Sequence, residues 1–285
     1  MEIGIGLPNH VAEVEGRVIT EWSRRAEEAG FESVTTIDRP IYPNIDSIIA
    51  LALAAGVTAA VGLVANVLLA PLYPPVLLAK QLAGVADASG GRLTVGMGVG
   101  SRADDYAAMG VDFASRGALL DDSVAICQEA WAGEAVADST PLCPTATTIP
   151  LLFGGKSPAT LRRIAAFGDG WAAGAVRDLP AQSSFADRVR AGWREAGRTG
   201  SPFLQASLNF AMGDEAVVDA GRGHLRRYYG FAPEYAALNV TDMVATPEDA
   251  RSAVRAYRDL GFHRLLFHPA VATGDQVDRL AEAVL

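Results

Sequence analysis

Six short stretches of this chain carry side chains or backbone groups that could do chemistry. The segment Phe153-Gly154-Gly155-Lys156-Ser157-Pro158 joins an apolar run to a segment of helical period. Backbone N–H groups, the positive end of a helix, one ammonium and one hydroxyl converge there, a donor set suited to an anion such as a phosphate. A plain glycine turn with Ser157 as helix cap is the structural alternative. The spacing does not match G-x-x-x-x-G-K-[ST], which disfavours a P-loop nucleotidase. In Gly96-Met97-Gly98-Val99-Gly100-Ser101 alternate glycines leave one side of a strand bare, so a flat ligand or another piece of chain could approach closely, or the core could simply need the room. Asp38-Arg39-Pro40 sets a carboxylate beside a guanidinium, and Asn66-Val67 offers an amide. Asp104 and Asp105 are adjacent carboxylates: a general-acid site, or charges at a helix start, with at least one read as a cap. His268, before Pro269, is a lone histidine of the kind that more often supports structure than performs catalysis.

These residues need elements to position them. Short β-rich runs at 3–7, 33–37, 60–66, 93–99, 149–153, 170–174, 203–212 and 264–267 alternate with segments of helical period. Several runs are continuously apolar, as strands buried on both faces should be. The first helix, 14–29, places Trp22, Ala26 and Ala29 on one face, with Arg24, Arg25, Glu27 and Glu28 largely on the other, and Gly30 ends it. Further helices are expected at 46–58, from Pro74-Pro75 to Gly90-Gly91, at 103–132 with a break near Gly110 and a restart near Arg116, from Ser157-Pro158, from Leu179-Pro180, and from Thr246-Pro247 to Gly261. Residues 214–242 look helical but broken, fit for a lid or an outer helix pair, and 134–148 reads as an irregular loop. Eight strand-helix units in one chain predict a single-domain α/β fold, a (β/α)₈ TIM barrel over residues 1–285, with its site at the carboxyl ends of the strands. Every stretch that could do chemistry falls at such an end. A doubly wound sheet is the runner-up, but no G-x-G-x-x-G follows the first strand.

Composition bounds the function. The chain has 285 residues, 50% hydrophobic and 20% charged, with a formal net charge of −9, an acidic balance that opposes binding to nucleic acid. Cys127 and Cys143, with four scattered histidines, fit neither a disulfide framework nor a metal site. No apolar run is long enough to span a bilayer, and the start reads as a strand, so no membrane association and a cytoplasmic location are expected.

At these residues the sequence resembles the luciferase-like family of flavin-dependent oxidoreductases, whose members use FMN or the deazaflavin coenzyme F420. The similarity runs over nearly the whole chain. It is carried by Ala26-Glu27-Glu28-Ala29-Gly30-Phe31 leading to Asp38-Arg39-Pro40, by 74–82, most specifically by Ser89-Gly90-Gly91-Arg92 continuing to Gly100, by Phe153-Gly154-Gly155 through Gly168-Asp169-Gly170-Trp171, and by 247–262. The resemblance implies a (β/α)₈ barrel, a homodimer, and a flavin ring across the barrel mouth against strands two to four. Asp38 would sit near its polar edge, a non-prolyl cis peptide at Asn66-Val67 would lie beneath it, Gly98 would lie alongside, and the cofactor phosphate would sit at Gly154, Gly155, Lys156 and Ser157. Arg39, Asp104 and His268 are then substrate-pocket candidates. Two departures stand out: the 134–148 loop is short, and Arg39 stands where several members have a histidine, which puts a family-type proton relay in doubt. Three functions follow: monooxygenation of a small organic substrate with reduced FMN and oxygen, F420-dependent hydride transfer, or flavin binding without turnover.

Overall fold

A computed structural model describes residues 1–135, 140–143 and 147–285. Eight parallel strands close into a barrel in sequence order: β1 Glu2–Gly6, β2 Ser33–Thr36, β3 Gly62–Leu68, β4 Leu93–Met97, β5 Leu151–Gly154, β6 Gly170–Ala172, β7 Phe203–Phe210 and β8 Arg264–Pro269. The crossovers carry α1 Gly16–Ala29, α2 Ser47–Ala55, α3 Pro75–Ala88, α4 Ala103–Ala108 with α5 Arg116–Trp131, α6 Pro158–Phe167, α7 Leu179–Glu195, and three helices between β7 and β8: α8 Glu215–Tyr228, α9 Pro233–Thr241 and α10 Pro247–Asp259. The expected (β/α)₈ barrel is therefore the observed fold. The core lies between strands and helices, with Ile5, Val34, Leu63, Val95, Leu204 and Phe267 facing Leu51, Leu82, Val124, Ala186 and Tyr257.

Local sequence explains the helix starts. Asp46, Ser157, Asp178, Asp214 and Thr246 each accept a backbone N–H three residues on, at 2.9–3.2 Å, and each such cap contributes about 1 kcal/mol. Gly30, at φ 94°, takes the left-handed conformation that closes α1. One helix, α11 Asp275–Val284, lies beyond the predicted elements; its Val277, Leu280 and Ala283 are buried, and Arg25 of α1 pairs with its Asp278, closing the helical ring.

The amino-terminal rim differs from expectation in an instructive way. The partly exposed Glu27 carboxylate is not free but accepts the N–H groups of Ala59, Ala60 and Val61 at 2.6–3.1 Å. The strand β3 begins just after that turn, at Gly62 rather than at Ala60. Arg92 then binds the same turn, donating to Thr58 Oγ1, Thr58 O and Val61 O while its Nε holds Ser89 O. Two of the motifs behind the family resemblance are thus braces between successive strand-helix units. Of the expected 134–148 loop, 136–139 and 144–146 lie outside the described residues. Cys127 and Cys143 are both free and buried. No helix among the described residues is long and apolar enough to cross a membrane.

Candidate active site

At the carboxyl end of the barrel the inward positions are mostly glycine or small residues, so the mouth stays open. The cleft there holds about 510 Å³ of empty space, partly continuous with solvent. Its walls include Ile37, Asn66, Val67, Gly154, Gly155, Ala172, Ser207, Tyr229, Tyr235 and His268.

Its floor is built at Asn66-Val67. The peptide between them is cis, and the β3–β4 register shifts between Ala65 and Leu68. A regular strand would turn neighbouring side chains to opposite faces, but here both line the cleft. The glycines of β4 and β5 make room for this. A Cβ at Gly96 would lie 2.7 Å from Val67 Cγ1 and 2.8 Å from Ala65 O, one at Gly98 2.9 Å from Val67 Cγ2, and one at Gly154 3.2 Å from the same methyl. None of the three needs positive φ. Their absent side chains seat the Val67 isopropyl group, which answers what approaches the bare face of that strand.

The anion-binding candidate lies at one edge. Gly155, at φ +98°, turns the chain after β5, and Trp171 Nε1 donates to its carbonyl at 2.8 Å. Ser157 Oγ caps α6 by accepting from Thr160 N. Lys156 is exposed, forms no ion pair with the described residues, and borders a side pocket that shares Gly174 and Tyr235 with the main cleft. Gly154, Gly155, Lys156 and Ser157 are thus brought together beside Asn66 and Val67. The capping role of Ser157 and the free ammonium of Lys156 coexist.

The other candidates are placed differently. Asp38 is buried beneath the rim and outside the cleft lining: Oδ2 accepts from Leu69 N and Oδ1 from Tyr73 Oη, both at 2.9 Å. Burial raises its carboxyl to about 7, against the opposing pull of these two donors. Arg39 does not reach the cleft either. Its Nη1 donates to Tyr228 O at 2.8 Å, and its guanidinium packs on the Tyr42 and Tyr228 rings at 4.4 and 5.0 Å. Asp104 faces solvent from the first turn of α4, while its neighbour Asp105 is the buried one. Burial pushes the Asp105 carboxyl up and Arg102 pulls it down. Arg102, also buried, shares the Tyr228 carbonyl with Arg39 at 3.2 Å. His268 lines the cleft as expected, with Nε2 3.0 Å from Asn66 Nδ2.

Sequence reasoning treated the histidines as scattered, yet His10, His224 and His268 converge. Their rings are buried, with centroids 5.4 Å (His10–His224) and 5.8 Å (His10–His268) apart, and Tyr228 lies against His10 and His224. Burial lowers His268 to about 3 and, with Arg227 and Arg39 adding to it, His224 to about 4, so both are neutral at pH 7. The available signal was position: His10 follows β1 and His268 is the next-to-last residue of β8, and these strands are neighbours. Among the described residues no group of three or more His, Cys, Asp or Glu is arranged to hold a metal. Tyr229 and Tyr235, from the broken helical region, cover one side of the cleft, and their rings meet edge to face.

A flat ring with an anionic tail fits this arrangement: an apolar floor at Val67, an open mouth, and an exposed lysine on a glycine loop at the edge. Known proteins share the fold and the sequence pattern. An uncharacterised protein of Mycobacterium tuberculosis (strain ATCC 25618 / H37Rv) is 32% identical over 212 residues, spanning 64% of this chain and 73% of that one. Among solved structures, an F420-dependent secondary alcohol dehydrogenase in complex with an F420-acetone adduct superposes with TM-score 0.80 at 17% identity, covering 99% and 98% of the two chains. The oxygenating constituent of 3,6-diketocamphane monooxygenase from Pseudomonas putida, in complex with FMN, superposes with TM-score 0.73 at 15% identity over 99% and 96%. The family described as luciferase-like monooxygenase matches residues 1–264, from β1 into the start of β8, and the chain belongs to that family.

Proposed function

We propose that the protein is an oxidoreductase that holds a flavin-type cofactor, FMN or coenzyme F420, across the barrel mouth and acts on a small organic substrate in the same cleft. The observation that carries this is the seating of Val67 among Gly96, Gly98 and Gly154, which makes a smooth apolar floor next to the exposed Gly154–Ser157 loop. Val67 and Gly98 would support the ring, and Gly154, Gly155, Lys156 and Ser157 the phosphate. The bound cofactor supplies the redox chemistry, oxygen activation in the FMN case and hydride transfer in the F420 case. The chain's own part is binding, orientation and exclusion of water. Tyr229 and Tyr235 wall the cleft, and Asn66 presents its amide at the floor beside His268. Asp38 holds the Leu69 N–H and Tyr73 hydroxyl, which fixes the segment leaving β3 and makes it a support of the floor. Asn66 and Ser207 are polar side chains of the cleft lining, and Arg39 and Asp104 lie outside that lining.

Oxygen chemistry with reduced FMN is the first form of this activity. F420-dependent hydride transfer is the second, favoured by the superposition on the F420-dependent alcohol dehydrogenase. Oxygen uptake by protein loaded with reduced FMN supports the first; tight F420 binding with none for FMN rules it out. Binding of either without substrate-dependent reoxidation would leave a flavin-binding protein without turnover. We also propose a homodimer, because Ile49 of α2 and Val76 and Leu77 of α3 expose 41–54% of their apolar surfaces on neighbouring helices. Light scattering at the monomer mass would refute it.

A further inference from the structure

A line of polar side chains runs the length of the barrel. Glu2, at the start of β1, accepts from Arg264 Nε at 2.6 Å. Arg264 Nη1 donates to Gln205 Oε1 at 3.1 Å, and Gln205 Nε2 donates to Asn66 Oδ1 at 3.0 Å. Asn66 Nδ2 completes the line 3.0 Å from His268 Nε2. In the closed strand order β3 and β7 lie opposite each other, so the amide–amide bond between Gln205 and Asn66 spans the lumen. Arg264 and Glu2 sit at the amino-terminal end, and Asn66 and His268 at the cleft.

The polarity of this line is not free. Arginine has five N–H donors, no acceptor, and stays charged. Gln205 must therefore turn its oxygen to Arg264, which leaves only its NH₂ for Asn66. Asn66 then receives on its oxygen, and only its NH₂ faces His268. We infer that Arg264, at the far end of the barrel, sets the tautomer of His268 at the cleft: the ring is held neutral with its proton on Nδ1, and its Nε2 lone pair is occupied by Asn66.

Two consequences follow. His268 is a positioning residue rather than a base, because the lone pair a base would use is already engaged. The second hydrogen on Asn66 Nδ2 makes no bond to the described residues, so the cleft floor offers an N–H to an oxygen acceptor. The neighbours of His268 do not compete for the assignment. His10 is the titratable ring packed against it, His224 and Tyr228 lie behind His10, and among the described residues its buried Nδ1 has no hydrogen-bond partner, carboxylate or other. This inference concerns the protein without cofactor and stands apart from the identity of that cofactor.

The test is nitrogen NMR of protein labelled with ¹⁵N-histidine, without cofactor at pH 7, with His268 assigned by the signals lost in His268→Gln. The wild type should show a protonated Nδ1 and a bare Nε2. Gln205→Glu keeps the shape but accepts from Arg264 and Asn66 alike, so Asn66 turns over, presents Oδ1, and Nε2 gains a proton. Asn66→Asp removes the NH₂ and should put a proton on Nε2 as well. A wild-type ring protonated on Nε2 overturns the inference even if neither variant folds, and so does either folded variant that keeps the wild-type pattern.

Discussion

If Gly98 is glycine because Val67 occupies its side-chain space, the cost of filling that space must vanish when Val67 is trimmed. In Gly98→Ala the new Cβ meets a single neighbour, Val67 Cγ2, at 2.9 Å, where carbon atoms prefer about 3.5–4.0 Å. Overpacking of this kind costs about 1–3 kcal/mol. Gly98 has no positive φ, so alanine also removes about 0.4–1 kcal/mol of unfolded-state entropy. The net expectation is a loss of about 1 kcal/mol in the wild type. In a Val67→Ala background the clash is gone and only the entropic gain remains, so Gly98→Ala should stabilise by about 0.5 kcal/mol. The sign inverts, with a coupling of about 1–2 kcal/mol. Gly96→Ala is the internal control: its Cβ would also lie 2.8 Å from Ala65 O, a backbone atom that Val67→Ala leaves in place, so rescue there is partial. Urea denaturation of the four members of each cycle measures these differences. Costs for Gly98→Ala that agree within about 0.5 kcal/mol in the two backgrounds would refute the seating of Val67.

Three other expectations bear on separate parts of the site. The folded Asp38 carboxyl sits near 7 against about 3.9 in the unfolded chain, so the native state binds the extra proton and this group's contribution to stability falls as pH rises through that window and levels off above it. Relative to Asp38→Asn, the wild type should lose about 3 kcal/mol between pH 4.5 and pH 8 in urea titrations; a difference that does not change with pH would contradict the buried placement. Glu27→Gln weakens three backbone contacts and should cost about 1–3 kcal/mol of stability while leaving cofactor affinity unchanged, since Glu27 lies at the opposite rim; a change under 0.5 kcal/mol by denaturation would show the brace to be idle. Lys156→Ala should lower cofactor affinity about tenfold, or 1.4 kcal/mol, with no change in stability, and calorimetric titration with an unchanged Kd would remove Lys156 from the phosphate site.

The barrel was legible because both signals it needs are local: apolar runs mark strands buried on two faces, and Asp, Ser or Thr before a helical period marks the starts of α2, α6, α7, α8 and α10. Even the interruption between Gly110 and Arg116 was readable. The helix at Asp275–Val284 was missed although Val277, Leu280 and Ala283 carry helical spacing, because the unit count closed at the eighth strand. The site was readable only where one loop holds all the chemistry, as Gly154 to Ser157 does. Asp104 and Asp105 are neighbours, and which one turns inward depends on the phase of a six-residue helix. Arg39 is tied to Tyr228, 189 residues away, and nothing near Arg39 in sequence announces that partner. The same holds for the three buried histidines and for the line from Arg264 to His268, which exist only once the barrel closes.

The central claim is that the mouth over Val67, with its lysine-bearing loop, is a cofactor site. A fluorescence titration of the purified protein with FMN and F420 side by side tests it most directly. Saturable one-to-one binding of at least one of them, weakened by Lys156→Ala, is the result expected. Binding of neither at 100-fold the protein concentration would contradict the account.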